Sequence, residues 1–328
     1  MMRRKVKRVL IPLYRGAALG GAVNSCLKAV KQNTMYFLNR LHKNYNPAVL
    51  LYLTIIYVFS FGLAILEKIF QTGQFYTILQ TGFTALPVLA AIIVQKIVGE
   101  QGKIKLSLKV WKKPKAWIFS AFAPAITIVL GAVLYFVVFS GEYSGVFELG
   151  KLIGNDAHIE ITNPIFFAIV CIIISVVFVP IQLLELGEEV GWRGYLLWFQ
   201  VEKYGEKKAV LINGIEWGLA HLPLIYLGFN YSNDNPGAPW TNMIMMMLLC
   251  VVMGIIFSYI TLKTENCMYA AIMHGVFNII GEIPVFCSLS LKSGLLGPNP
   301  TGLLSMTFLI LLSVILFIRL GKDKNKTF

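Results

Sequence analysis

Several apolar runs in this chain exceed the roughly 20 residues that an α-helix needs to cross the hydrocarbon core of a bilayer. They leave few folds open. A segment in hydrocarbon has no water to bond its N–H and C=O groups, so only helices and closed barrels span a membrane. A barrel strand alternates apolar and polar residues over about ten positions, and the runs here are continuous. Of the 328 residues, 57% are apolar and 14% charged, against roughly 25% charged in a soluble domain. The expected fold class is therefore all-α, a polytopic membrane helical bundle of about eight transmembrane helices. The expected spans are 47–66, 75–95, 116–140, 164–186, 208–228, 240–262, 267–287 and 302–318.

The formal net charge of +13 raises the question of nucleic acid, and its placement argues against that partner. Lysine and arginine flank the apolar runs, where they set membrane topology. With both termini cytoplasmic, 26 of the 29 basic residues fall on inside segments. The outside loops keep only Lys68, Lys151 and Lys292. The expected location is a cell membrane, crossed many times, with a bacterial plasma membrane the natural setting.

Four regions follow. Residues 1–46 carry ten Lys or Arg and no acid, interspersed with Met35, Phe37, Leu38 and Leu41, and form a basic cytoplasmic segment suited to anionic lipid. Residues 47–163 hold the first three spans, 164–287 the polar motifs, and 288–328 the last span with a basic tail. Arg15 interrupts the first short apolar stretch, so the start is not expected to be a cleaved signal peptide. The tail Lys-Asn-Lys-Thr-Phe carries no prenylation cysteine. Cys26, Cys171, Cys250, Cys267 and Cys287 form no CxxC pair and are expected as small buried apolar side chains.

A charge at the centre of a membrane helix costs about 2.5–3.5 kcal/mol on insertion scales, so polar residues at that depth are the informative ones. Glu185, Glu188, Glu189, Trp192 and Arg193 recur at three and four residue spacing where the fourth span ends, which places them on one broad helical face. Glu189 and Arg193 form an i,i+4 pair, and Glu188 has no cation nearby in sequence. Adjacent carboxylates titrate as a coupled system, one route to a general base; a charged helix end at the interface has the same pattern. Trp217 and His221 are one turn apart in the fifth span, where a lone histidine can equally be structural. Glu216 lies on another face and takes no assigned role. His274 and Asn278 are one turn apart in the seventh span, with Glu282 a turn further. Two such donors could stabilise an oxyanion or serve interhelical hydrogen bonds. Gly187 with Gly191, and Gly214 with Gly218, have the small-xxx-small spacing that lets helices approach closely. Met243, Met245, Met246 and Met247 form an adaptable packing cluster.

Glu188-Glu189-Val190-Gly191-Trp192-Arg193 resembles the EExxxR motif of the CPBP family, the CAAX prenyl proteases and bacteriocin-processing proteins also called the Abi group. Trp217 to His221 stands where that family has FxxxH, with tryptophan for phenylalanine. His274 to Asn278 fits its HxxxN motif. The order agrees, and the resemblance covers roughly residues 164–287. It implies an intramembrane glutamic endopeptidase. In it Glu188 activates water with the help of His221, His274 and Asn278 form the oxyanion hole, and Glu189 and Arg193 hold the local structure. The implied partners are a peptide or membrane-protein substrate and membrane lipids, with no cofactor and no metal.

Two alternatives stay open at this point. Glu188, Glu189, His221 and His274 could supply metal ligands, although the HExxH signature is absent. A non-catalytic membrane protein could also use these acids, as an immunity factor, a partner-regulating scaffold or a transporter with an ion path. On the topology above, the glutamates and His274 lie near the inside face and His221 deeper, so the helices must be offset, or the cavity tall, for the motifs to meet.

Overall fold

The computed structural model describes residues 46–98, 104–144, 147–148, 160–161, 169, 173, 185–289 and 294–321. The chain divides into two compact units, residues 1–50 and 51–328. Of the first, only residues 46–50 at the start of a helix are described. In chain order the helices are α1 (Pro47–Phe70), α2 (Gln74–Phe83), α3 (Leu86–Val98) and α4 (Pro114–Val138). After residues 185–189 and a π-helical turn, Val190–Leu196, come α5 (Leu197–Tyr204), α6 (Glu206–Tyr226), α7 (Trp240–Thr264), α8 (Met268–Phe286) and α9 (Thr307–Arg319). Among the described residues, β-structure is confined to an antiparallel pair, β1 (Phe147–Glu148) with β2 (Glu160–Ile161), and one bridge between Tyr143 and Ser288.

Five helices, α1, α4, α6, α7 and α8, are long and apolar enough to cross a membrane. Val58 and Ile65 on α1, and Ile126 and Val137 on α4, stand exposed as lipid-facing side chains do. The expected span over 75–95 is a bent pair instead: α2 and α3 meet at 70°. The cause is the glutamate-bearing helix that crosses there. A Cβ on Gly187 would overlap the Thr84 carbonyl, and one on Gly191 would overlap Pro87 and the Tyr52 hydroxyl. Pro87 lies in the first turn of α3, where its missing N–H costs no helical bond.

The expected span 164–186 lies outside the described residues, apart from Ile169, Ile173 and its last two positions. The expected span 302–318 is realised as α9, 13 residues, about 20 Å long at 1.5 Å per residue. Before it the chain turns back on itself, with the amides of Leu303 and Leu304 donating to the carbonyls of Leu295 and Leu296. The described residues thus carry five spanning helices, or six with the bent pair counted as one, where the sequence led us to expect eight.

α7 is the central helix, packed on α6, α8 and α9. It crosses α6 at glycine: a Cβ on Gly214 would come 2.9 Å from Val251 Cα, and one on Gly254 would come 2.9 Å from Gly214 Cα. Gly218 abuts Met247 and Cys250. The small-residue spacing therefore does bring these helices together, and it sets the sixth helix's polar face beside the π-helical turn.

Residues 104–113 run as a strap over the ends of these elements. The Lys105 amide donates to the Gly194 carbonyl (3.0 Å), and the Cys267 amide donates to the Lys105 carbonyl (2.9 Å). The Ser107 amide donates to Asn266 Oδ1, and Asn266 Nδ2 donates to the Ser107 carbonyl, both at 2.8 Å. Lys105 Nζ lies 2.8 Å from Glu265 Oε2, and this hydrogen-bonded ammonium holds the Glu265 carboxyl below its ordinary range.

Candidate active site

The site begins at residues 185–189 and the π-helical turn that follows. Such wide turns recur at functional positions because they re-aim side chains that a regular helix would stack. Glu189 and Arg193 are both fully buried and form the expected i,i+4 ion pair, at 3.0 Å. A buried charge is tolerable when paired, and here the pairing runs through one oxygen and one nitrogen, Glu189 Oε2 and Arg193 Nε and Nη2 having no hydrogen-bond partner among the described residues. Glu189 Oε1 also lies 3.0 Å from His274 Nδ1. The Arg193 guanidinium sits 4.1 Å from the centre of the Trp217 ring and 5.3 Å from that of Phe257, a stacking only a planar cation achieves.

Glu188 is 4% exposed. The cation it lacks in sequence is replaced by a neutral donor: Trp217 Nε1 donates to Glu188 Oε2 at 2.9 Å. The tryptophan that departs from FxxxH thus binds the first motif to the second. His221, one turn on, has Nδ1 2.9 Å from the Trp217 carbonyl. A carbonyl only accepts, so Nδ1 carries the proton of that bond, and in the neutral ring Nε2 is left as an acceptor. Phe83 of α2 meets the His221 ring edge-on at 4.6 Å.

The third motif faces Glu185. Asn278 Nδ2 donates to Glu185 Oε1 at 2.9 Å, and His274 Nε2 lies 3.4 Å from Glu185 Oε2. His274 is therefore flanked by a carboxylate at each ring nitrogen. Glu185 belonged to the first sequence group but had no role there; its spacing of three from Glu188 was the available signal.

These side chains share one cavity of about 290 Å³, lined by Glu185, Glu188, Trp217, His221, His274 and Asn278. The Trp217 ring lies 5.3 Å from His221 and 5.5 Å from His274, between the two histidines. Of the six expected residues, Glu188, His221, His274 and Asn278 line the cavity, while Glu189 and Arg193 lie behind it. Met246 also faces the cavity, the one member of the methionine cluster that does. Glu282 lines it too, accepting from Asn299 Nδ2 at 3.2 Å. Glu216 does not; it accepts from Gln200, whose Oε1 accepts from Asn213. Cys250, Cys267 and Cys287 are buried and free.

The donor set that could hold a metal differs from the one expected. Glu189 Oε1 is engaged by Arg193, and His221 lies outside the cluster. Among the described residues, one ligand atom each from Glu185, Glu188 and His274 lies within 4.8 Å of the others.

The cavity of this helical, apolar protein brings together a buried carboxylate, two histidines and an asparagine. Residues 164–280 match the family model described as type II CAAX prenyl endopeptidase Rce1-like. A curated relative, CAAX prenyl protease 2 of Methanococcus maripaludis, is 32% identical over 111 residues. That alignment covers 32% of this chain and 41% of the relative. The chain thus spans less than half the length of the relative it matches. Over residues 164–280 the chain is similar to the CAAX prenyl endopeptidases.

Proposed function

We propose that this protein is an intramembrane endopeptidase that hydrolyses a peptide bond of a membrane-associated or peptide-precursor substrate with water activated by Glu188. The observation that carries this assignment is the placement of Glu188: buried, fixed at one oxygen by the Trp217 indole, and facing the same cavity as His221, His274 and Asn278. Glu188 takes a proton from water as the oxygen attacks the scissile carbonyl. The His221 Nε2 lone pair accepts from the same water and orients it. His274 and Asn278 donate to the oxyanion as its charge develops, and donors already aimed at that charge need no reorganisation. The proton on Glu188 then passes to the leaving amine, which closes the cycle without a covalent intermediate. Glu189 and Arg193 do not touch the reacting atoms; they hold His274 and the Trp217 ring in place.

The test is Glu188→Gln, which keeps the shape and the Trp217 contact but removes the base. Comparative peptidomics of cells carrying wild type or this variant finds the substrate, and purified protein then gives the rate. Turnover is expected near background, with insertion and substrate binding retained. Near-normal turnover in a well-expressed variant would overturn Glu188 as the base, and absence of turnover in the purified wild type would favour a non-catalytic membrane protein.

A second assignment rests on the convergence of Glu185, Glu188 and His274. Three protein ligands with an open fourth position are the usual ligand count of a catalytic zinc site. On that assignment the three side chains would hold the ion, which would supply the activated water. Chelation separates the two: a glutamic peptidase keeps its activity and carries no stoichiometric metal, whereas loss reversed by zinc selects the metal-dependent reaction.

A further inference from the structure

The strap of residues 104–113 has an outer face that nothing in the cavity chemistry uses. Its inner face is fully engaged. Besides the bonds to Gly194, Cys267 and Asn266, Tyr269 Oη donates to the Val110 carbonyl at 2.8 Å. Lys105 and Lys113 turn inward, Lys105 to Glu265 and Lys113 to the carbonyls of Lys263 and Thr264. What remains faces away from the protein. Trp111 is 69% exposed and Leu108 64%, and Lys109, Lys112 and Lys115 are exposed beside them. No Asp or Glu occurs from residue 101 to residue 141.

The position of this face in the bilayer follows from the helices around it. α4 begins at Pro114, α7 ends at Thr264 and α8 begins at Met268, so the ends of three spanning helices meet under the strap at one membrane boundary. Ile118, four residues into α4, is 52% exposed, as a large apolar side chain on a helix apolar enough to span a membrane would be against acyl chains. Four residues of helix rise only about 6 Å, so the strap lies at headgroup depth. Indole rings are enriched at that depth, and each lysine near an anionic membrane surface contributes about 1 kcal/mol.

We propose that the outer face of residues 104–115 is a docking surface for anionic phospholipid, with Trp111 and Leu108 entering the acyl boundary and Lys109, Lys112 and Lys115 meeting the headgroup phosphates. The bonds to Gly194, Asn266, Cys267 and Tyr269 hold this surface rigid before lipid arrives, so little ordering entropy opposes binding. The surface stands independently of the reaction in the cavity.

Brominated lipid tests it without an activity assay. Wild type and Trp111→Phe are reconstituted in nanodiscs whose bromine, at carbons 6 and 7, is carried either by phosphatidylglycerol or by phosphatidylcholine in an otherwise identical mixture. The fluorescence difference between the two proteins isolates Trp111. This component is expected to be quenched at least about twofold more by the brominated phosphatidylglycerol, given the lysine contributions above. In K109Q/K112Q/K115Q the preference is expected to vanish while quenching persists. Equal quenching by both lipids in wild type overturns charge recognition. A Trp111 component that neither lipid quenches overturns the membrane partner altogether and leaves the face to a soluble acidic protein.

Discussion

Asn278 gives its side-chain N–H to Glu185 at 2.9 Å, and His274 presents Nε2 to the other oxygen of the same carboxylate at 3.4 Å. The two donors assigned to the oxyanion thus hold an acidic side chain of this protein. His274 is buried and Asn278 is exposed, so Glu185 engages one buried and one exposed donor that an oxyanion would otherwise take. Asn278→Ala is expected to lower kcat about 10²–10³-fold with little change in KM. A double-mutant cycle with Glu185→Ala gives the reason for the loss. If Asn278 serves the oxyanion, its effect persists in the Glu185→Ala background. If it only holds Glu185, the effect disappears there.

Arg193 differs in kind, because it does not itself line the cavity and yet joins two motifs. Its removal strands the fully buried Glu189, and breaking a buried pair costs about 3–5 kcal/mol. Arg193→Ala is expected to give a low yield of monodisperse protein, measured by size-exclusion chromatography after extraction. Arg193→Lys keeps the charge but loses the plane over Trp217, and is expected to recover only part of that yield.

Trp217→Phe restores the family's phenylalanine and removes the indole donor to Glu188. The ring that Arg193 covers is largely kept, but the buried Glu188 loses its indole donor, so thermal stability is expected to fall. Losing a hydrogen bond to a carboxylate is worth about 1.5–3 kcal/mol, and turnover is expected to fall about tenfold or more as Glu188 loses its fixed orientation. Wild-type turnover in this variant would mean that the indole contact does not position the base.

Topology is measurable at two described positions. α7 has 25 residues from Trp240 to Thr264, about 37 Å of helix. Asn233 precedes it, and Lys109 lies on the strap at its far end. Single cysteines at these sites in an otherwise cysteine-free protein are expected to label from opposite sides of the membrane, with Lys109 on the cytoplasmic side. Labelling of both from outside would overturn the orientation drawn from the basic residues.

Much of the site was legible as spacing. The Glu189–Arg193 pair followed from i,i+4 geometry, and the approach of α6 to α7 followed from Gly214 and Gly218, because both are properties of a single helix face. The helical membrane class was legible for a similar reason: continuous apolar runs leave the backbone no other way to satisfy its polar groups. The break between α2 and α3 was not. Its cause, the close passage of Gly187 and Gly191 over Thr84 and Pro87, joins residues about a hundred positions apart.

The sequence by itself determined which side chains enter the bilayer, because the periodicity of apolar residues and the energetic cost of burying charge act along one helix at a time. Only the tertiary structure decided what those side chains do to one another. Trp217 became the donor to Glu188, His274 came to lie between Glu185 and Glu189, and Asn278 turned to Glu185. The physical reason is that a hydrogen bond depends on distance and direction within a few tenths of an ångström. Those quantities are set by how closely glycine lets one helix cross another, and not by the spacing of residues within either.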